Sequence, residues 1–227
     1  EPFPMPGDPD RCLASMGIYV FKMDFLLERL CQDATDAHSS HDFGKNVIPN
    51  IITSHRVLAY PFQDRNTGDE YYWRDVGTLE SYFDANLDLV AVEPQLNLYD
   101  YTWPIRGYHA PLPPPKFVFE DIDTTPPRVG HAMDSIIGPG CILSGGAAER
   151  CVFSHNVRLN SYSHVTDSIL FEGVDVGRHS EIHRTIVDKG VEIPPNVRIG
   201  FDPDEDRSRG FTVTETGITV VPKWHAF

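Results

Sequence analysis

The sequence is poor in cysteine, in positive charge and in long apolar runs. Its four cysteines show no CxxC spacing, which argues against a zinc site and, in a chain of 227 residues, against a disulfide framework. Only 19 Lys and Arg residues stand against 33 Asp and Glu, a net charge of −14, which argues against nonspecific binding to nucleic acids or anionic membranes. No apolar run approaches the roughly 20 residues that span a bilayer. We therefore expect a cytoplasmic protein with reduced thiols and with neither nucleic acid nor membrane as a partner.

A repeat of about 17 residues occupies the C-terminal part of the chain. Gly, Pro and Asn follow the aliphatic positions at intervals of about six residues, which a helix would not tolerate. Each coil can bury its apolar positions only by stacking on the next coil, so the pattern predicts a parallel β-solenoid. The repeated positions are Ile136, Val152, Ile169 and Ile186, then Val157, Val174 and Val191, then Leu159, Val176 and Ile193, and last Val165, Ile182 and Ile199.

The first part of the chain has the pattern of a mixed α/β structure. Stretches rich in β-branched and aromatic residues predict strands over residues 15–21, 56–62 and 71–76. Helical spacing of apolar residues predicts a helix capped by Asp24, a second over residues 46–52, and a third capped by Thr78.

A proline-rich stretch that begins at Tyr108 separates this part from the repeats, because proline favours an extended, stiff backbone. We predict a catalytic-domain portion over residues 1–107, a linker over 108–127, and a solenoid domain over 128–227. Alternating apolar and polar residues over 211–223 predict one or two closing strands.

Asp75 lies where a predicted strand ends and a predicted helix begins. Ligand groups of α/β proteins lie at such strand ends, and a carboxylate there suits Mg²⁺ that bridges phosphate oxygens. The other interpretation is structural, with Asp75 paired to Arg74 or capping the helix. The residues alone leave both open.

Three segments carry a family resemblance: A-S-M-G-I-Y-V-F from Ala14, H-D-F-G-K-N-V-I-P from His41, and Y-W-R-D-V-G-T from Tyr72. In this order, before a proline-rich linker and a solenoid, they resemble the C-terminal half of the bacterial ADP-glucose pyrophosphorylases, the glucose-1-phosphate adenylyltransferases. The resemblance implies the end of a Rossmann-like nucleotidyltransferase domain followed by a left-handed parallel β-helix of hexapeptide repeats. It also implies the conversion of ATP and glucose 1-phosphate to ADP-glucose and diphosphate in glycogen biosynthesis, with Mg²⁺, a homotetramer and allosteric control.

The same resemblance assigns site residues. Ser15 matches a residue that contacts glucose 1-phosphate, Trp73 lies where the sugar pocket is shaped, and Asp75 matches a residue that binds the substrate and helps hold Mg²⁺. Asp42 and Phe43 match a segment near the active site, where a packing role is expected. No catalytic residue is assigned within the chain.

Phosphorylated or small anionic effectors are the second set of expected partners. Lys189 and Lys223 match positions at which the family contacts such effectors, and Arg184 and Arg207 have planar guanidinium groups that suit phosphate oxygens. Solvated surface lysines are the other interpretation. The identity of the effector stays open, as does the choice of nucleotide base.

The resemblance also places essential parts outside this chain: the Gly-rich nucleotide loop, a second metal-binding aspartate, and the lysine of an E-K-P segment. We therefore expect the chain alone to be inactive. Three other functions stay open: an oligomerisation and allosteric module without activity, another sugar-phosphate nucleotidyltransferase, and an acyltransferase. The last would need a catalytic histidine at a solenoid turn, with candidates at His155, His164, His179 and His183.

Overall fold

A computed structural model describes residues 4–5, 7–12, 14–63, 70–107 and 110–227. The chain divides into two compact units, Glu1–Trp73 and Arg74–Phe227. Tyr108, the first residue of the predicted linker, lies outside the described residues. Among the residues that are described, no helix is long and apolar enough to span a membrane.

The first unit contains short elements. Strands β1 (Pro4–Met5) and β2 (Asp8–Cys12) pair antiparallel, and helix α1 (Met23–Ala34) follows. A π-helical turn, Phe43–Val47, then continues into helix α2 (Ile48–Ile52). The predicted cap at Asp24 is wrong, because α1 begins at Met23, one residue before Asp24. Asp24 lies in the first turn, where the helix dipole still stabilises a carboxylate.

The three predicted strands of the first part are not strands. Residues 15–21, 56–62 and 71–76 form no ladder, and only an isolated bridge joins Gln63 to Glu70. A strand needs hydrogen bonds from a neighbouring strand, and β-propensity does not supply that neighbour. The apolar side chains of these segments are consequently exposed, with Val20 at 96% and Leu58 at 74%.

Helix α3 (Leu79–Asp88) is the first regular element of the second unit, and its predicted cap at Thr78 is confirmed. The Ser81 N–H donates to Thr78 Oγ1 at 3.1 Å, and the Thr78 N–H donates to Ser81 Oγ at 3.1 Å. This reciprocal pair is a capping box, which satisfies two backbone donors and defines where the helix begins.

The rest of the second unit confirms the predicted parallel β-solenoid. Its strands are β3 (Lys116–Val118), β4 (His131–Met133), β5 (Ile136–Ile137), β6 (Ile142–Ser144), β7 (Ala147–Glu149), β8 (Val152–Phe153), β9 (Arg158–Leu159), β10 (His164–Thr166), β11 (Ile169–Leu170), β12 (Asp175–Val176), β13 (Glu181–His183), β14 (Thr185–Val187), β15 (Glu192–Ile193), β16 (Arg198–Ile199), β17 (Thr212–Val213) and β18 (Thr219–Val221). They form three sheets with the strand orders β3-β6-β9-β12-β15, β4-β7-β10-β13-β16 and β5-β8-β11-β14-β18-β17, and every described pair is parallel except β17 with β18. A short helix, α4 (Pro203–Ser208), is inserted between β16 and β17.

The solenoid begins earlier in the chain than predicted, and its C-terminal end lies where the closing strands are predicted. Strand β3 lies within the range predicted as linker, yet it pairs with β6 as part of the first coil. The prediction of closing strands over residues 211–223 is confirmed by β17 and β18, the second of which extends the sheet beyond β14.

The apolar columns divide between the inside and the outside of the coil. The columns that contain Val157, Leu159 and Val165 are buried in the interior, as the repeat predicts. The column that begins at Ile136 is different, because its inward neighbours, such as Phe153 and Leu170, fill the core instead. Its own side chains face outward and are buried only where another element covers them.

Candidate functional site

Ser15 lies at the surface of the first unit, in a tight turn. The Gly17 N–H donates to Ser15 Oγ at 3.3 Å, and Gly17 has a φ of 71°, which glycine adopts without steric cost. Ser15 Oγ also lies 2.9 Å from the Tyr19 hydroxyl. The turn therefore presents an oriented, exposed hydroxyl of the kind that can bond a phosphate oxygen.

Two of the three motif segments meet beneath this turn. The Tyr19 ring stacks on Phe43, with centroids 5.5 Å apart, and Phe21 lies 6.0 Å from the same ring. Asp42 Oδ1 accepts from the Lys45 N–H at 2.8 Å and so caps the π-helical turn. The packing role predicted for Phe43 is confirmed, and it connects Ser15, through Tyr19, to the second motif.

Asp75 lies in the second unit, just before α3. Its Oδ1 accepts from the Gly77 N–H at 3.0 Å, so the carboxylate closes the turn that leads to the helix. The helix cap itself is Thr78, so the interpretation of Asp75 as the cap is wrong. The side chain of Asp75 is exposed, and Trp73, which is 44% exposed, belongs to the first unit.

The fit of Asp75 to Mg²⁺ follows from its chemistry. Within the described part of the chain, no group of three or more His, Cys, Asp or Glu side chains is arranged to hold a metal ion. Mg²⁺ sites that act on phosphates often use only one or two carboxylates, with phosphate oxygens and water as the other ligands. An exposed carboxylate on a fixed turn fits one such ligand.

Helix α3 packs its apolar face on the outward column of the solenoid. Phe83 is 1% exposed and forms a cluster with Ile169, Ile186 and Ile218. The Tyr82 ring stacks near Phe171, with centroids 6.4 Å apart. Since the N-cap of α3 comes three residues after Asp75, the turn that carries this carboxylate is anchored on the solenoid.

The backbone of Lys189 and the side chain of Lys223 both contact Trp224. The Trp224 backbone N–H donates to the Lys189 carbonyl at 3.2 Å, and Lys223 Nζ lies 5.4 Å from the centroid of the indole ring. The indole covers Gly190 so closely that a Cβ there would lie 1.7 Å from a ring carbon. Both lysines are exposed beside a groove of about 300 Å³ that is lined by Trp224 and Phe227. The backbone thus places the segment of Lys189 beside the segment of Lys223, the two lysines that the sequence predicts to bind an effector.

Arg184 and Arg207 have intramolecular partners instead. Arg184 is half-buried, and its guanidinium carbon lies 5.5 Å from the centroid of Phe83 on α3. Arg207 lies on α4, and its Nη1 donates to Asp204 Oδ1 at 3.0 Å. No contact of either arginine with the two lysines is among those that the structure describes.

Charge alternates along one corner of the solenoid, at Asp134, Arg150, Asp167 and Arg184. All four have left-handed backbones, with φ between 45° and 51°. Arg150 makes two bonds to Asp167, from Nε at 2.7 Å and from Nη2 at 2.8 Å. These bonds lower the pKa of the Asp167 carboxyl, and the neighbouring charges of Arg150, His183 and Arg184 act in the same direction against a smaller effect of burial.

Comparison with known proteins addresses both units. Residues 6–91 match the nucleotidyl transferase family, and residues 113–221 match the GlmU-like, C-terminal hexapeptide family. A glucose-1-phosphate adenylyltransferase of Rhodopirellula baltica is 57% identical over 98% of this chain and 50% of its own length. Proteins of the same name from Shewanella sp. (strain ANA-3) and Koribacter versatilis are 50% and 49% identical, each over 96% of this chain and 51% of its own length.

Over almost its whole length the chain is similar to one half of the glucose-1-phosphate adenylyltransferases. It spans about half the length of the curated relatives that it matches. The similarity runs through both the motif segments and the solenoid, so these relatives share the order of parts along the chain.

The family match and the contacts of the histidines weigh against an acyltransferase. The imidazole of His179 stacks on Tyr162, with centroids 4.9 Å apart, and His183 Nδ1 lies 2.9 Å from Thr166 Oγ1. These contacts give both side chains structural roles at the solenoid surface.

Sequence reasoning missed several residues that hold the chain together. Asp206 is buried and accepts from the Gly200 N–H at 2.8 Å and from the Thr219 hydroxyl at 2.9 Å, which ties α4 to β18. Trp224 and the contact of Arg184 with Phe83 carry no sequence signal, since their partners are distant along the chain. The alternating corner charges do carry one, because they follow the spacing of the repeat.

Proposed function

We propose that this chain forms part of a glucose-1-phosphate adenylyltransferase, which converts ATP and glucose 1-phosphate to ADP-glucose and diphosphate in glycogen biosynthesis. The observation that carries the proposal is Asp75, an exposed carboxylate on a turn fixed by Gly77 and directly followed by a capped helix. It lies in a chain that is 57% identical to an adenylyltransferase of Rhodopirellula baltica.

In this proposal the chain binds and orients the sugar phosphate. The Ser15 hydroxyl bonds an oxygen of glucose 1-phosphate, Trp73 borders the sugar, and Asp75 contacts the substrate and is one ligand of Mg²⁺. Mg²⁺, when bound, supplies charge neutralisation at the phosphate oxygens. A sugar phosphate oxygen attacks the α-phosphorus of ATP, the bond to the β-phosphate oxygen breaks, and diphosphate leaves. Positioning of the two reactants supplies much of the acceleration.

Control by anions is the second part of the proposal. Lys189 and Lys223 bind a phosphorylated or small anionic effector, which their approach around Trp224 supports. Arg184 and Arg207 were predicted to join this site, and their contacts with Phe83 and Asp204 favour structural roles. The functional enzyme is a cytoplasmic homotetramer in this proposal. Light scattering that finds only monomers of the longer protein at high concentration would contradict that assembly.

The test of the sugar-phosphate site uses this chain alone. We expect saturation-transfer NMR to detect binding of glucose 1-phosphate in the presence of Mg²⁺. We expect Ser15→Ala and Asp75→Asn to weaken it by about tenfold, because the first removes a hydrogen bond to the phosphate and the second removes a ligand of Mg²⁺. Ser54→Ala and Asp84→Asn are the matched controls, since Asp84 is an exposed carboxylate on α3 itself. Equal binding by all five proteins would contradict the assignment.

The same samples test whether the chain is active. We expect no ADP-glucose above the background of a mock purification when ATP, glucose 1-phosphate and Mg²⁺ are added. Substantial turnover that is lost in Asp75→Asn would overturn the expected inactivity while it supported the role of Asp75.

A further inference from the structure

Arg184 occupies the end of the charged corner, where the solenoid meets helix α3. It lies between β13 and β14 with a φ of 49°, so its backbone is held by the coil. Its carbonyl accepts from the Thr219 N–H at 3.2 Å, and its own N–H donates to the Thr166 carbonyl at 3.1 Å. Arg184 therefore extends from a rigid part of the solenoid.

The guanidinium group of Arg184 meets the aromatic ring that anchors α3. Its central carbon lies 5.5 Å from the centroid of Phe83, within the range of a cation–π contact. Phe83 is the most deeply buried side chain of α3, and it touches the outward column of the solenoid at Ile169 and Ile186. The charge thus reinforces an apolar contact that is already excluded from water.

Helix α3 transmits this contact to the turn before it. The capping box of Thr78 and Ser81 makes the first helical turn rigid, and the Glu80 carboxylate accepts a hydrogen bond from the Thr216 hydroxyl at 3.4 Å. The Gly77 N–H, one residue before the cap, bonds Asp75. A displacement of α3 on the solenoid would therefore displace Asp75.

We propose that Arg184 is a positioning residue that holds α3 through Phe83 and thereby fixes the turn that carries Asp75. The functional part of this proposal rests on the proposed role of Asp75 in the adenylyltransferase reaction. Arg184 then does not serve as an effector ligand. An anion bound to this guanidinium would lie near the carboxylate of Asp167, which repels it.

Hydrogen exchange of this chain tests the contact without any need for turnover. We expect Arg184→Ala to raise the exchange rates of the Gly77 amide and of the α3 amides about two- to fivefold, which is the size of a partly exposed cation–π contact. Arg184→Lys should restore part of the protection, because it keeps the charge. Arg178→Ala, which removes an exposed solenoid arginine, should leave these rates unchanged.

A double-mutant cycle assigns the effect to the ring. In a Phe83→Leu background, Arg184→Ala should add no further exchange at Gly77, because the partner of the guanidinium is already absent. If Arg184→Ala does not fold by circular dichroism, the comparison of Arg184→Lys in the two backgrounds decides the outcome. Equal effects of the arginine substitution with and without Phe83 would overturn the proposal.

Binding of inorganic phosphate separates the two roles of Arg184. We expect the phosphate affinity of Arg184→Ala to equal that of the unsubstituted chain. A loss of phosphate binding in Arg184→Ala as large as that in Lys189→Ala would overturn the positioning role. Failure of the proposed function looks different: Asp75→Asn would then leave glucose 1-phosphate binding unchanged, while the exchange results for Arg184 would stand.

Discussion

Asp167 shows how a single charged side chain stabilises the corner of the solenoid. It accepts two bonds from Arg150 on the preceding coil, and both residues have left-handed backbones. The Asp167 N–H also donates to the Glu149 carbonyl at 3.0 Å, so the bidentate contact adds a side-chain bond to the backbone bond between the two coils.

Acid should remove this contribution. Because the pKa of Asp167 is lowered in the folded chain, its contribution to stability is present above the unfolded carboxyl pKa of about 3.9 and is lost as the pH falls through the lower folded value. We expect Asp167→Asn to lower the free energy of unfolding by about 1 kcal/mol at pH 7. Urea denaturation at pH 7 and at pH 2.5 measures the difference.

The control for this experiment is Asp134→Asn, which changes a carboxylate at the same corner in an earlier coil. Asparagine tolerates a left-handed backbone, so neither substitution introduces strain. If the loss in the free energy of unfolding caused by Asp167→Asn were as large at pH 2.5 as at pH 7, the ionised carboxylate would not be its cause.

At the scale of elements, the turn at Gly190 and the tail at Trp224 form one packed pair. Gly190 has a φ of 65°, and its missing side chain leaves room for the indole, which a Cβ would meet at 1.7 Å. The tail carries Lys223, and the Trp224 backbone N–H next to it bonds the Lys189 carbonyl. The proposed effector site therefore depends on this glycine as much as on the two lysines.

Gly190→Ala should displace the tail. We expect a loss of about 2 to 3 kcal/mol in the free energy of unfolding, from backbone strain and from the displaced indole together. A small red shift of tryptophan emission should accompany it, because the ring, already 67% exposed, loses its contact with Gly190. Chemical denaturation followed by fluorescence measures both.

Gly210→Ala is the control that introduces backbone strain without a steric clash. Gly210 has a φ of 86°, and a Cβ there would meet no atom within 4 Å. This variant should lose only about 1 kcal/mol, with unchanged emission. Equal losses in the two alanine variants would show that the contact of Trp224 with Gly190 contributes little.

At the scale of the whole molecule, the second unit contains far more buried apolar residues than the first. The solenoid contains a continuous cluster that includes Cys141 and Cys151, whereas Val47 and Ile51 are the fully buried apolar residues described in the first unit. Burial raises the pKa of both solenoid thiols, for Cys151 to about 12. Cys12 and Cys31 are exposed.

Thiol labelling should therefore distinguish the two units. We expect two thiols per chain to react rapidly with an alkylating reagent under native conditions, and the other two only when the solenoid unfolds, because the thiolate is the reactive form. Mass spectrometry of labelled peptides along a urea gradient identifies each site. Rapid native labelling of Cys151 would contradict the closed core.

Sequence patterns predicted the elements whose signals are local or repeated. The columns at Val157, Leu159 and Val165 identified the solenoid because stacked coils place equivalent residues together. Thr78 identified the start of α3 because a cap acts within one helical turn. Ser15 and Asp75 entered through family resemblance, and their roles stay predictions that the proposed experiments test.

The sequence by itself determined a stacked β-solenoid, its closing strands and a capped helix, because each rests on interactions between near or regularly spaced residues. Only the tertiary structure decided that the column at Ile136 faces outward, that α3 covers it further along, and that Arg184 contacts Phe83. It likewise decided that residues 15–21 form no strand and that the Lys189 carbonyl bonds the Trp224 backbone. Each of these outcomes depends on partners distant in the chain, which local propensity and spacing do not specify.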